Sequence, residues 1–202
     1  MKQDCFTPKE LRFLRAQAEN QYEDMKGARF YRNVDFFLYI LLVVLIALGI
    51  RAFLAEPIRV DGASMEPTLT DAEHMFVEKV SYWFSQPQRG DIIICFYPGY
   101  KESCVKRVIG LPGEAVAVQD GIVLINGAPL NERAYWSGEI YGDMEPVIVG
   151  AKQVFVMGDN RNGSKDSRNP SVGCIPYRRV EGRVRAVIWP VQNFVAFGNE
   201  VY

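Results

Sequence analysis

The chain has 202 residues, 49% of them hydrophobic, and a formal net charge of -1 at pH 7. This balance argues against nucleic acid as the main partner, because binding to phosphate backbones needs a surplus of Lys and Arg. Four cysteines without a C-x-x-C pair and a single histidine, His74, do not provide the clustered ligands of a zinc site, so we expect no metal or other cofactor.

The first predicted element is an apolar segment that begins at Phe36. Residues 36–50 contain no charged side chain, and after Arg51 the apolar sequence continues to residue 55. A helix that spans a membrane needs about 20 mostly apolar residues, and residues 36–55 meet that length. We therefore interpret this segment as one N-terminal transmembrane helix. A buried core helix is the alternative, because the strictly uncharged part is short.

Basic residues before the apolar segment predict its orientation. Residues 1–35 are rich in Lys and Arg, and such residues beside a spanning helix stay on the cytoplasmic side. The sequence thus predicts a single-pass protein of the cell membrane, in contact with the lipid bilayer, whose residues 56–202 form an extracytoplasmic domain. A cleaved secretory signal is less favoured, because the leading segment is long and no clear cleavage site follows.

Beyond residue 56 the chain consists of short β-rich segments separated by Gly, Pro and Asn. Asn126-Gly127 is a typical two-residue hairpin turn. Without alternating helices or repeats, the pattern predicts a mainly β fold, a partly open antiparallel barrel or sandwich. The predicted strands are residues 57–61, 75–80, 91–97, 104–109, 114–119, 122–125, 153–157 and 180–189.

Two of the cysteines lie on the two arms of one predicted hairpin. If Ile94 faces Val105, then Cys95 faces Cys104 across the ladder. An extracytoplasmic domain permits oxidation, so the sequence allows a Cys95–Cys104 disulfide, provided that the geometric limits on such bonds are met. The alternative is a pair of ordinary buried thiols.

The first chemical signal is a turn around Ser64, within Asp61-Gly62-Ala63-Ser64-Met65-Glu66-Pro67. Small residues before a serine and a proline after it make a tight turn that exposes the hydroxyl and leaves backbone N–H groups free. Such a turn can provide a nucleophile together with an oxyanion donor. Taken alone, the pattern is equally typical of a plain loop.

The second signal is Lys106, which lies within an apolar strand. Alternation along the strand directs Val105 and Arg107 to one face and Lys106 to the other. A lysine in an apolar environment loses hydration, so its pKa falls and it can act as a general base. An exposed strand lysine is the alternative.

A third polar segment, residues 158–168, is dense in short side chains that bond to backbone groups. By itself it is typical of a surface loop. It resembles a calcium-binding loop only weakly, since it lacks the order of ligands and the final Glu of an EF-hand.

Together these segments resemble the ordered sequence boxes of type I signal peptidases, and in particular their Gram-positive branch. The boxes follow a predicted membrane anchor in the family's order and span most of the outer domain. They comprise Ser64-Met65 with Pro67-Thr68-Leu69, Arg89-Gly90-Asp91-Ile92, residues 106–113, and Gly158-Asp159-Asn160-Arg161 with Ser164, Asp166, Ser167 and Arg168.

The resemblance implies a serine endopeptidase with a Ser/Lys dyad, acting through an acyl-enzyme. Ser64 would be the nucleophile and Lys106 the general base, with the Ser64 N–H as one oxyanion donor. Ser164 corresponds to a hydroxyl that hydrogen-bonds and orients the lysine, and Asp166 with Arg168 to a supporting ion pair. At Gly62, two residues before the nucleophile, some family members have a serine that donates a second hydrogen bond to the oxyanion, and here that donor is missing.

The resemblance also implies the substrate, which is the signal peptide of a secreted preprotein. Cleavage would follow small residues at positions minus one and minus three, as in A-x-A, because a narrow apolar groove excludes larger side chains. The peptide would add as a strand along residues 57–61. By position, the residues expected around the pocket are Ile58, Val60, Leu69, Ile94 and Val105.

Two other functions compete with this interpretation. A cytosolic self-cleaving repressor uses a similar Ser–Lys pair, but it needs a basic DNA-binding segment in place of the apolar residues 36–55. A non-enzymatic anchored β-domain would have no need for Ser64, Lys106 and Ser164 together.

Overall fold

The fold is known from a computed structural model that describes residues 8–53 and 55–198, without the side chains of residues 23–32 and 50–55. The chain divides into two compact units, Met1–Ile50 and Arg51–Tyr202. The second unit contains all the described strands.

Most of the first unit is one long helix, α1, from Pro8 to Phe53. Proline is well tolerated in the first turn of a helix, where its missing N–H would have no partner. All described side chains from Phe36 to Leu48 are exposed. Among the described residues, no helix has a stretch long and apolar enough to cross a membrane. The span predicted over residues 36–55, part of which lies outside the described side chains, therefore stays a prediction.

The second unit is mainly β, as the sequence predicted, and its paired strands are antiparallel. Its described residues form one short α-helix, α2 (Ser81–Phe84), two single-turn 3-10 helices (Tyr177–Arg179 and Val191–Asn193) and twelve strands. These are β1 (Ala55–Arg59), β2 (His74–Glu78), β3 (Ile92–Phe96), β4 (Ser103–Gly110), β5 (Ala115–Gln119), β6 (Ile122–Ile125), β7 (Ala128–Pro129), β8 (Met144–Ile148), β9 (Gln153–Met157), β10 (Ile175–Pro176), β11 (Val180–Trp189) and β12 (Val195–Ala196).

The strands form two sheets. The larger has the order β1-β2-β11-β3-β4-β9-β10, with β12 paired to β11, and the smaller has the order β7-β6-β5-β8. Register shifts interrupt the pairing of β11 with β2 and of β4 with β9. Such bulges bend and twist the strands that carry them, and the larger sheet is curled into a half-barrel.

The predicted strands are confirmed within one to two residues at most ends, and the short or irregular ones were missed. The most substantial of these is β8, whose sequence contains Pro146. A proline cannot donate to a ladder, so it is rare in strands away from a sheet edge. The strand forms nevertheless, because β8 lies at the edge of the smaller sheet.

Both faces of β3 are buried, which is why this strand is almost continuously apolar, and the second half of β4 is buried as well. Ile92 and Ile94 belong to one core cluster, and Ile93 and Cys95 belong to another. On β4, Val108 packs in the second cluster, whereas Ile109 packs in a third against the smaller sheet. The central strands are therefore fixed from both sides.

Candidate active site

Ser64 lies in the connection between β1 and β2, at one end of that hairpin. Two backbone hydrogen bonds extend the hairpin toward it, from Val60 N to Glu73 O (2.7 Å) and from Ala72 N to Val60 O (3.1 Å). Met65 and Leu69 are fully buried beneath the turn, and Leu69 N donates to Met65 O at 3.0 Å. The serine is thus held half-buried on an anchored turn.

Gly62 takes a backbone conformation that only glycine adopts readily, with φ of 89°. Its N–H donates to the Asp71 carboxylate at 2.9 Å, so this donor is already engaged. Within the described part of the chain, the N–H of Ser64 has no acceptor. The Ser64 N–H is therefore available to an incoming oxyanion, whereas the N–H of Gly62 is not.

Lys106 reaches Ser64 from the middle of β4. It is 3% exposed, and its Nζ lies 2.7 Å from Ser64 Oγ and 2.8 Å from the carbonyl oxygen of Val105. Burial lowers the pKa of this amine below its ordinary value, although the neighbouring thiols and carboxylates oppose that change. A buried amine at this distance from a hydroxyl has the geometry of a base and its nucleophile.

The polar loop behind the dyad contains the predicted ion pair. The Asp166 carboxylate, fully buried, accepts hydrogen bonds from Arg168 Nε (2.8 Å) and Nη2 (2.8 Å). It also accepts one from Gly158 N (2.9 Å), so that it connects the two ends of the loop. The pair supports the loop and does not contact Ser64 Oγ.

Ser164 differs from the expectation. Its Oγ is buried and has no hydrogen-bond partner among the described residues, whereas Lys106 bonds to Ser64 and Val105. The expected bond between Ser164 and Lys106 is therefore absent. The hydroxyl instead lies against Gly158, where an added Cβ would collide with Ser164 Oγ and with the carbonyl oxygen of Ser64.

Asn160 joins this loop to the nucleophile turn. Its backbone N–H donates to Ser64 O at 3.1 Å, and its side-chain Nδ2 donates to Ala63 O at 3.0 Å. Asn160 belongs to one of the sequence boxes, but the sequence alone indicates no role for it. The geometry shows that it fixes the backbone on which Ser64 stands.

A cavity of about 480 Å³ is lined by both members of the dyad, and residues 58–62 and 101–106 contribute most of its remaining lining. Four of the five predicted pocket residues line it, namely Ile58, Val60, Ile94 and Val105. Leu69 does not, and its assignment to the pocket was wrong. It is fully buried in the core below the turn, packed with the cluster that includes Met75.

The two hairpin cysteines are cross-strand neighbours, because Cys95 is registered opposite Cys104. Both are free thiols in the structure, so the suggested disulfide is not formed. Cys95 is fully buried, and burial raises its pKa to about 12. A thiol that stays protonated is a poor partner in disulfide exchange, because the thiolate is the reactive form.

Comparison with known proteins decides what kind of site this is. Residues 33–189 match the family described as "Signal peptidase, peptidase S26". The chain belongs to this family. It is a serine endopeptidase, which decides against the non-enzymatic domain, and the family match decides against the self-cleaving repressor.

Several relatives of this peptidase align over most of their length. The signal peptidase I of Leptolyngbya laminosa is 43% identical over 166 residues, covering 78% of this chain and 80% of the relative. That of Bacillus licheniformis is 42% identical over 161 residues, covering 75% and 86%. Signal peptidase I T of Bacillus subtilis is 41% identical over 160 residues, covering 75% and 82%.

A solved structure is also similar. The crystal structure of a signal peptidase I from Enterococcus faecalis has 34% sequence identity and a TM-score of 0.42, covering 49% of this chain and 97% of its own.

The peptidase has a buried set of charges that the sequence analysis missed. Arg107 forms a bidentate ion pair with Asp159, with hydrogen bonds from Nε (2.8 Å) and Nη2 (2.7 Å). Arg161 does the same with Glu132, through Nη1 (2.7 Å) and Nη2 (2.5 Å). All four side chains are less than one-tenth exposed. The role of Arg107 was not recognised because its strand reads as apolar. That of Glu132 was not recognised because it is 29 positions from Arg161 in the sequence.

Proposed function

We propose that this peptidase removes N-terminal signal peptides from secreted preproteins, with Ser64 as the nucleophile and Lys106 as the general base. The observation that carries the proposal is the 2.7 Å separation between Ser64 Oγ and a buried Lys106 Nζ whose pKa is lowered. The names of the relatives, all signal peptidases, support the substrate class.

The first half of the reaction forms an acyl-enzyme. Lys106 Nζ takes the proton of the Ser64 hydroxyl while Oγ attacks the scissile carbonyl carbon. The Ser64 N–H, which has no acceptor among the described residues, donates to the oxyanion. The intermediate collapses, the amide C–N bond breaks, and Lys106 returns its proton to the leaving amine of the mature protein.

The second half regenerates the enzyme. Lys106 takes a proton from a water molecule, whose oxygen attacks the acyl carbon. The bond between that carbon and Ser64 Oγ breaks, Oγ takes back a proton from Lys106, and the signal peptide leaves as a carboxylic acid. The same amine is used in both halves, so it must be neutral at the start of each.

The groove supports cleavage after small residues. Ile58, Ile94 and Val105 are part of its apolar lining. Strand β1 lies at the end of the larger sheet and pairs with β2 alone among the described strands, so its other edge can accept an extended peptide as an added strand. A groove of this kind admits Ala and rejects bulky side chains at minus one and minus three.

Membrane attachment through α1 is part of the proposal. Residues 36–55 would cross the bilayer once, with residues 1–35 in the cytoplasm and residues 56–202 outside the cell. The exposed apolar side chains from Phe36 to Leu48 support it, because a soluble surface rarely carries so long an apolar stretch. Protease digestion of intact spheroplasts should remove residues 56–202 and spare a tag placed before residue 8. Loss of that tag would contradict this orientation.

The function is tested with a preprotein and two variants. Ser64→Ala and Lys106→Ala should each abolish cleavage while circular dichroism shows an unchanged fold. Ser137→Ala, an exposed serine that does not line the cavity beside the dyad, serves as the control and should cleave normally. Cleavage by either dyad variant would overturn the mechanism. A wild-type enzyme that cleaves other peptides but does not cleave preproteins would overturn the proposed substrate class.

A further inference from the structure

Two residues outside the matched sequence boxes connect the halves of the active site. Glu132 and Tyr135 belong to the segment between β7 and β8, which lies with the smaller sheet. Both are at most 8% exposed. Tyr135 OH donates to Glu132 Oε1 at 2.9 Å, so the two side chains form one unit.

Glu132 holds the polar loop through Arg161. Its carboxylate accepts a hydrogen bond from each terminal nitrogen of the Arg161 guanidinium. The Nε of the same guanidinium donates to Gly158 O at 3.1 Å. Arg161 is 1% exposed and is among the largest fully buried side chains of the described residues. Its neighbour Asn160 makes the two hydrogen bonds to the Ser64 turn. Glu132 therefore acts on the nucleophile through the loop.

Tyr135 acts on the base through Arg107. The Arg107 guanidinium lies 4.0 Å from the centre of the Tyr135 ring, a distance typical of a cation–π contact. The same guanidinium is bonded to Asp159, the residue before Asn160. Arg107 directly follows Lys106 on β4. Its position thus fixes the strand from which Lys106 projects.

We infer that Glu132 and Tyr135 are positioning residues, which set the distance between Ser64 and Lys106. The inference rests on the proposed dyad. A buried ion pair is a weak source of net stability, because removing two charges from water offsets their attraction. The two parallel hydrogen bonds of the pair nevertheless fix the orientation of the Arg161 and Glu132 side chains. None of Glu132, Tyr135 and Arg161 lines the groove in front of the dyad, so they act on turnover and not on substrate binding.

The decisive variant replaces the ion pair with apolar side chains of similar size, Glu132→Leu with Arg161→Met. Such replacements commonly preserve a fold. The full chain in detergent would be assayed on a peptide that spans a signal cleavage site with Ala at minus one and minus three. We expect a melting temperature close to wild type, kcat at least tenfold lower, and KM within about twofold. Arg133→Ala, an exposed residue of the same segment, should leave both constants unchanged.

A second readout separates positioning from simple packing. If the dyad loosens, water reaches Lys106 and the pKa seen in the kcat–pH profile should move up toward that of ordinary lysine. Tyr135→Phe keeps the ring over Arg107 but loses the bond to Glu132, so we expect a smaller loss of kcat with KM unchanged. It decides the question if the double variant does not fold.

The outcomes are distinguishable. Activity in Lys106→Ala would defeat the proposed dyad itself. The positioning role alone would be overturned if Lys106→Ala is inactive but the folded double variant keeps the wild-type kcat and pH profile. If the double variant does not fold, the same result in Tyr135→Phe would overturn it. A rise in KM with kcat unchanged would also overturn it, because that result assigns these residues to substrate binding.

Discussion

Lys106 and Arg107 are neighbours on β4, and their side chains bond to opposite parts of the site. Lys106 Nζ lies 2.7 Å from Ser64 Oγ, whereas Arg107 forms its bidentate ion pair with Asp159. Alternation along a strand produces this division. One residue supplies the chemistry, and the next fixes the strand that carries it.

The first prediction concerns the chemical nature of the base. Lys106→Arg should be inactive, even though it keeps a positive charge, because a guanidinium cannot lose its proton at any working pH. Preprotein cleavage by the purified variant is the measurement. Measurable turnover would show that residue 106 acts as a fixed cation and not as a base.

The second prediction concerns stability against pH. Because burial lowers the pKa of Lys106 in the folded state, the unfolded chain binds more protons at pH values between this lowered pKa and the ordinary lysine pKa. The wild type should therefore gain stability as pH rises toward the ordinary lysine pKa of about 10.4. Lys106→Met cannot titrate, so its stability relative to wild type should be greater at pH 7 than at pH 10.

Urea unfolding at the two pH values measures this difference. Lys152→Met, an exposed lysine, is the matched control and should show no such change. Equal relative stability of Lys106→Met at both pH values would mean that the amine of Lys106 is not perturbed by the fold.

The third prediction concerns the close contact at Gly158. Gly158→Ala would push its Cβ against Ser164 Oγ and the carbonyl oxygen of Ser64. We expect a destabilisation of about 1–3 kcal/mol, as for other overpacked sites, and at least tenfold lower kcat. Gly198→Ala has open space around its Cβ and should change neither quantity. Wild-type kcat in Gly158→Ala would show that the nucleophile turn tolerates displacement.

The fourth prediction separates core from groove. Leu69→Ala should destabilise the domain by about 2–5 kcal/mol, because it empties a fully buried site. Its KM should stay unchanged in conditions where it is folded. Ile58→Ala, in the lining of the groove, should lose less stability than Leu69→Ala but should have an altered KM. A changed cleavage specificity in Leu69→Ala would return that residue to the pocket.

The sequence predicted the parts of the fold that depend on local pattern. Short apolar segments separated by turn residues located β5 and β6 well, and the hairpin of β3 and β4 has the register expected from Ile94 facing Val105. The edge position of β8 could not be predicted, since it depends on the assembled sheet. Leu69 was misplaced because a turn residue can point into either the groove or the core.

The candidate site was predictable where short motifs carry the chemistry. Ser64 and Lys106 are 42 positions apart in sequence, and only the family resemblance joined them. The partner of Arg161 could not be found in this way, because Glu132 lies outside every motif. Asp159 does lie in a motif, but nothing in the sequence pairs it with Arg107, which is 52 positions away. Ion pairs between residues far apart in the chain leave no periodic signal in one sequence.

The central claim is that Lys106 is a neutral base beside Ser64, and its titration tests this most directly. NMR of the Lys106 side chain, labelled at Cε and Nζ and assigned with Lys106→Met, would be followed with pH alongside kcat/KM. We predict a pKa below the ordinary lysine value, and a kcat/KM that falls as pH drops through that same pKa. A Lys106 that titrates like a free lysine, with cleavage unaffected by its protonation, would contradict the account.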